Sequence, residues 1–144
     1  MKIADILRRK GSDLVTIRPY ASIEMAAGVM AAKGIGALVV LDDSGHLAGI
    51  ISERDIVHGF ARHKGEMTGS RVADLMVRDV ITCRPDDSVK HIMAVISDRR
   101  VRHVPVMDND KLAGIVSIGD VLKSRLDETL EEVNVLRDLS LSRG

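Results

Sequence analysis

Aromatic side chains are almost missing from this chain of 144 residues, which has one Tyr, one Phe and no Trp. Platforms on which bases could stack are therefore lacking, and 21 basic residues against 21 acidic ones give no net field to attract a polyanion or an anionic membrane. Both counts disfavour nucleic acid as a partner. Cys83 is the only cysteine, so no intrachain disulfide can form, and a cytoplasmic location fits best. Long apolar runs are absent too: the run 37–41 is strand-sized, far short of the roughly 20 residues that span a bilayer. The N-terminal stretch 1–9 carries charges inside an amphipathic pattern and lacks the uninterrupted apolar core of a signal peptide. What remains is ordinary globular composition, 45% hydrophobic and 29% charged. At this length a chain buries roughly two-thirds of its unfolded surface, enough for a core without metal or disulfide staples.

The chain repeats itself. Thr16-Ile17-Arg18-Pro19 returns as Thr82-Cys83-Arg84-Pro85 at an offset of 66, and Val40-Leu41-Asp42 returns as Val106-Met107-Asp108 in the same register. One deletion in the following turn shifts the offset to 65, after which Leu47-Ala48-Gly49-Ile50-Ile51-Ser52 reappears as Leu112-Ala113-Gly114-Ile115-Val116-Ser117, and Asp55 as Asp120. Lys2-Ile3-Ala4-Asp5-Ile6-Leu7 is echoed by Arg71-Val72-Ala73-Asp74-Leu75-Met76 as a lead-in helix to each copy.

Each copy reads as β-α-β-β-α. The first has a strand at 15–17 stopped by Pro19, a helix 23–33 opened by Ser22 and closed by Gly34, a buried strand 37–41, a turn 42–45, a returning strand 47–51 and a helix from Ser52. The second predicts a strand at 80–83, a helix 88–99, a strand 101–106, a turn 108–110, a strand 112–116 and a helix from Ile118. The fold class expected is α+β, two such repeats packed about a pseudo-twofold axis, because a single unit is too small to hide its sheet. The divisions are 1–64 for the first repeat with its lead-in helix, 65–70 for a linker, 71–125 for the second repeat with its lead-in helix, and 126–144 for a C-terminal helix and tail. Leu122, Leu126, Leu130, Val133 and Leu136 recur at helical steps there, a face seeking a partner.

With Gly49-Ile50-Ile51-Ser52-Glu53-Arg54-Asp55 and Gly114-Ile115-Val116-Ser117-Ile118-Gly119-Asp120 closing the two repeats, the chain resembles a pair of CBS domains, a Bateman module. The resemblance implies binding of an adenosine-containing ligand, such as AMP, ADP, ATP, NAD or S-adenosylmethionine, in the clefts between repeats. It also implies that the hydroxyls of Thr16 and Thr82 meet phosphate. The residues themselves supply a physical reason: Ser52 and Ser117 stand at strand-to-helix junctions, where unpaired N–H groups favour phosphate, and Asp55 and Asp120 follow one turn later, placed to accept ribose hydroxyls. Ser-x-x-Asp is equally a capping box, in which the pair only satisfies the helix's own N–H groups.

The copies differ in where they keep cations. The first has Arg54 inside its motif and Gly36-Ala37 on its second strand; the second has Gly119 in the motif and Arg102-His103 on that strand, followed by Val104-Pro105. Arg54, Arg102 and His103 are therefore expected to supply charge to a phosphate region, with Val104 and Pro105 beside it. His46, His58, His63 and His91 are dispersed without metal-ligand spacing, and Cys83, in the place of Ile17, reads as a small apolar strand residue. No nucleophile elbow, Walker-type loop or metal cluster points to catalysis. Two readings follow: a non-catalytic adenine-nucleotide sensor acting on a protein target in trans or through oligomer state, and a structural dimerisation module with vestigial clefts. A homodimer is expected under either.

Overall fold

A computed structural model describes residues 1–11 and 14–142, so the last two residues of the expected C-terminal tail lie outside the described residues. Its elements in chain order are α1 (Ile3–Lys10), β1 (Thr16–Ile17), α2 (Ile23–Lys33), β2 (Ala37–Leu41), β3 (Leu47–Ser52), α3 (Glu53–Arg62), α4 (Val72–Leu75), α5 (Val89–Arg99), β4 (His103–Asp108), β5 (Lys111–Ser117) and α6 (Ile118–Ser142). The expected mixture of helix and strand in two copies is present, complete as β-α-β-β-α in the first and lacking only a full first strand in the second.

The helix boundaries follow local chemistry. Ser22 and Ser88 cap α2 and α5 by accepting the N–H groups of Met25 and His91, each at 3.0 Å. At the other end α2 stops at Gly34 with φ 64°, and α5 stops at Arg100 with φ 55°. These residues are repeat equivalents, so an arginine occupies a left-handed cap that glycine fills without steric cost.

The chain sorts into two compact units. One contains residues 14–81 and 108–112; the other contains 1–11, 82–107 and 113–142. By packing, each lead-in helix thus belongs to the compact unit of the other repeat. In the second-repeat unit Ile3 and Ile6 join Cys83, Val89, Ile92, Ile96, Val104, Val106, Val116 and Val121 in the core. Main-chain bonds fix α1 there: Ile3 N–H donates to the Asp87 carbonyl and Ala4 N–H to the Pro85 carbonyl, both at 2.9 Å. In the first-repeat unit Val72, Leu75 and Met76 pack with Ile17, Ile23, Ala26, Met30, Leu38, Val40 and Ile51. The equivalent bonds run from Val72 N–H to the Ala21 carbonyl and from Ala73 N–H to the Pro19 carbonyl, both at 2.8 Å.

The first unit carries a three-stranded sheet in the order β1-β2-β3, with β1 parallel and β3 antiparallel to β2. In the second, β4 and β5 pair, and the strand expected at 80–83 contracts to one parallel bridge between Cys83 and Val106. Cys83 N–H donates to the Pro105 carbonyl at 3.0 Å, and Met107 N–H to the Cys83 carbonyl at 2.8 Å. Extending this ladder toward Ile81 would require an N–H from residue 105. Pro105 has none, whereas its equivalent Val39 does, and that explains the shortening. The helix expected from Ile118 and the expected C-terminal helix are one element, α6. No helix among the described residues is long and apolar enough to cross a membrane.

Candidate functional site

Each Ser-x-x-Asp motif sits where a returning strand turns into a helix, and the sequence dictates that turn. An apolar strand ends at a serine that reaches forward while the acid three residues on reaches back. In the first unit Ser52 N–H donates to Asp55 Oδ2 at 2.8 Å, the Ser52 hydroxyl donates to the same oxygen at 2.9 Å, and Asp55 N–H donates to Ser52 Oγ at 3.3 Å. In the second, Ser117 N–H donates to Asp120 Oδ2 at 2.8 Å and Asp120 N–H to Ser117 Oγ at 3.1 Å. The capping-box geometry is thus fully formed at both motifs. The back-bond from the acid is general in this chain: Asp5 and Asp74 accept from the N–H groups of Lys2 and Arg71 at 2.8 Å, with no serine involved.

The carbonyl before each second strand closes another helix N–H. Glu53 N–H donates to the Gly36 carbonyl at 3.0 Å, and Ile118 N–H to the Arg102 carbonyl at 2.8 Å. Three of the four N–H groups opening each helix therefore have acceptors within the protein. Arg102 serves through its main chain and keeps its side chain exposed; Arg54, on the first turn of α3, is exposed as well. His103 is half-buried at the start of β4. Thr16 and Thr82 are both exposed. Val104 and Pro105, expected beside the ligand, both have buried side chains, Val104 in the core at 0% exposure. Burial covers three consecutive positions of β4, Val104, Pro105 and Val106, so both faces of the strand are packed there. Only their main-chain groups are left to meet a ligand.

Each motif acid also lines a groove with the next turns of its own helix. Asp55, His58 and Arg62 border one of about 460 Å³ that Leu75 of α4 helps to close. Asp120, Lys123 and Asp127, their repeat equivalents at an offset of 65, border one of about 250 Å³ together with Ile6, Arg9 and Lys10 of α1. The i, i+3, i+7 spacing that puts these residues on one helix face is visible in the sequence. Lys10 is not, because its place depends on α1 packing in the unit of the other repeat.

The acids differ electrostatically. Lys10 Nζ lies 2.7 Å from Asp120 Oδ2 in a partly buried ion pair. Burial, the largest influence on Asp120, works to raise its carboxyl, but the Lys10 ammonium and the Ser117 donors outweigh it and hold the group below the usual carboxylate range. Asp55 is in no ion pair among the described residues. No group of three or more metal-ligating side chains occurs among the described residues.

Comparison with known proteins agrees with the duplicated architecture. The CBS domain family model matches residues 3–62 and 72–127. The chain is 31% identical over 142 residues to the CBS domain-containing protein CBSX3, mitochondrial, of Arabidopsis thaliana, covering 93% of this chain and 69% of that protein. It superposes on the crystal structure of the CBS-domain containing protein ATU1752 from Agrobacterium tumefaciens with a TM-score of 0.83 and 42% identity, over 87% of this chain and 99% of that one. The CBS domain pair of protein MJ0100, solved in complex with 5′-methylthioadenosine and S-adenosyl-L-methionine, superposes with a TM-score of 0.72 and 29% identity over 90% of this chain and 97% of that one. Two matched repeats in register, each ending in the same strand, serine and acid, make this chain a member of the CBS domain family, carrying a tandem pair.

Proposed function

We propose that the chain is a non-catalytic regulatory module whose motif sites bind an adenosine-containing ligand of the AMP, ADP, ATP or NAD class. The observation that carries this reading is the twice-built junction, a strand end, a serine and an acid one helical turn on, in a family member whose relative MJ0100 holds two adenosine compounds. Asp55 and Asp120 accept the ribose hydroxyls, while Ser52 and Ser117 stand with the helix N-termini toward phosphate. Thr16 and Thr82 add hydroxyls; Arg54, Arg102 and His103 add charge; and Val104 and Pro105 contribute through the main chain. The output passes to a protein target in trans or through oligomer state, in a cytoplasmic setting.

The test begins with the ultraviolet spectrum of the purified protein, which has almost no absorbance of its own at 280 nm. Mass spectrometry of whatever acid releases from it then identifies any bound adenosine compound. By calorimetry, Asp120→Ala is expected to lose charge-assisted hydrogen bonds of roughly 1.5–3 kcal/mol, about ten- to hundredfold in affinity for that site. Unchanged affinities at both sites in Asp55→Ala and Asp120→Ala would overturn the assignment.

One observation favours a second role alongside the first. α6 packs through Val121 and Ser124, which are buried, and turns Leu122, Leu126, Leu130, Val133 and Leu136 outward at 48–67% exposure. An apolar stripe of this length suits self-association into a homodimer. Light scattering at micromolar concentration is expected to give a dimer mass, and Leu126→Glu with Leu130→Glu a monomer mass at unchanged helicity. A monomer in the unaltered protein would remove this role.

A further inference from the structure

Two copies of one motif should hold ligand alike, yet their lead-in segments treat the acids differently. In the second-repeat unit α1 continues for 8 residues to Lys10. Its ammonium donates to Asp120 Oδ2 at 2.7 Å and to the Ile115 carbonyl at 2.9 Å. The same Oδ2 already takes the Ser117 N–H at 2.8 Å, so both lone-pair positions of that oxygen are filled by donors. In the first-repeat unit α4 has 4 residues, after which the chain leaves to form the antiparallel bridge between Ile50 and Val77. By repeat register the counterpart of Lys10 is Asp79, a residue of opposite charge.

Resting on the functional reading above, we propose that Lys10 is a built-in occupant of the Asp120 site. A vicinal diol that binds a carboxylate through both hydroxyls needs one acceptor position on each oxygen. At Asp120 the diol must displace the lysine to obtain the second; at Asp55 it competes only with the serine hydroxyl of the same cap. The chain therefore has one unlatched site and one latched site of lower affinity. Linkage makes the effect reciprocal: a ligand that expels Lys10 frees the last turn of α1, so the N-terminal helix is the element through which occupancy of the second site is read out.

The competing role for Lys10 is as a counter-charge that stays in place and meets the ligand's phosphate, and affinity separates the two. Lys10→Met keeps the unbranched stem and removes the ammonium. In an Asp55→Asn background, where Asp120 is the remaining motif acid, calorimetric titration with AMP and with 5′-methylthioadenosine is expected to show about fivefold tighter binding for Lys10→Met, the low end of coupling effects because the pair is partly exposed. Unchanged or weaker binding there overturns the proposal and leaves the ligand reading standing. Amide exchange supplies a readout that needs no ligand: residues 7–10 are expected to exchange faster in Lys10→Met, and in the unaltered protein once ligand saturates it. Unaltered exchange at 7–10 in Lys10→Met overturns the latch by itself. Absence of binding by either compound to any form, Asp55-competent protein included, overturns the functional reading and the competition with it.

Discussion

Gly49 and Gly114 stand at the same place in the two repeats, and the structure predicts very different costs for giving each a methyl group. A Cβ on Gly49 would lie 2.7 Å from the Val77 carbonyl oxygen and 2.9 Å from Met76 Sδ. That oxygen belongs to a two-bond bridge in which Ile50 N–H donates to the Val77 carbonyl at 3.0 Å and Val77 N–H to the Ile50 carbonyl at 2.9 Å. Backbone held from both sides cannot retreat without losing those bonds, each worth about 1 kcal/mol, and overpacking adds about 1–3 kcal/mol. After the roughly 0.5–1 kcal/mol of backbone entropy that alanine returns in a strand, Gly49→Ala should therefore destabilise by about 2–4 kcal/mol. A Cβ on Gly114 would meet Leu7 Cδ2, also at 2.7 Å, but this is the far end of a partly buried side chain that can rotate. Replacing a strand glycine by alanine also returns about 0.5–1 kcal/mol of backbone entropy, so Gly114→Ala should fall within about 1 kcal/mol of the parent. At about 3–4 °C per kcal/mol for a chain of this size, thermal unfolding followed by circular dichroism should separate the variants by roughly 10 °C. Equal destabilisation, or a larger loss in Gly114→Ala, would refute the distinction between fixed backbone and movable side chain.

Three further outcomes follow from single residues. Arg100→Gly should stabilise by about 0.5–1 kcal/mol, because φ 55° strains a side chain where the other repeat uses Gly34; a lower unfolding midpoint would show that the arginine makes up for its strain. Burial pushes the Cys83 thiol up to about 12, with Asp87 adding to the effect, so at pH 8 a thiol reagent should modify it only as fast as the fold opens, and rapid modification of native protein would contradict its core position. Asp42 is held below its ordinary value of 3.8 chiefly by the His46 N–H, Asp120 by the donors that outweigh its burial, and Glu128 below 4.5 chiefly by the N-terminal amine. As pH falls, the unfolded chain takes up these protons first. Stability present above pH 4.5 should therefore be lost as the folded groups titrate at lower pH, seen as a falling urea midpoint between pH 5 and 3; a flat midpoint would mean the ion pairs contribute nothing.

Much of the fold was legible because the repeat supplied a second sample of every local signal. Ser22 and Ser88 cap their helices as their spacing predicts, and the β2 and β3 boundaries fall within a residue of the apolar runs. The strand at 80–83 failed for a reason also present in the sequence: Pro105 faces it and has no N–H to give. What the sequence did not disclose was the exchange of lead-in helices. Periodicity marks Ile3, Ile6, Val72 and Leu75 as buried residues, but carries nothing about which of two similar cores receives them. The motif acids follow their serines by one helical turn as the spacing predicts, while the burial of Val104 and Pro105 is set by packing on both faces of β4, which their place beside Arg102 and His103 does not reveal. Lys10 could not be found by motif, since its partner is 110 residues away.

The departures between the copies share one direction. Pro105 for Val39 shortens a ladder, Arg100 for Gly34 strains a cap, and the longer α1 carries a cation onto a motif acid that its counterpart leaves unpaired. All three fall in the second-repeat unit. A duplicated unit kept only for structure has no reason to gather strain and a paired charge in one of its two copies. Strain and a breakable ion pair are what a junction needs if it is to exchange one internal partner for an external one. The second unit is therefore the better place to seek the response to ligand, and the first the better place to seek its tighter hold.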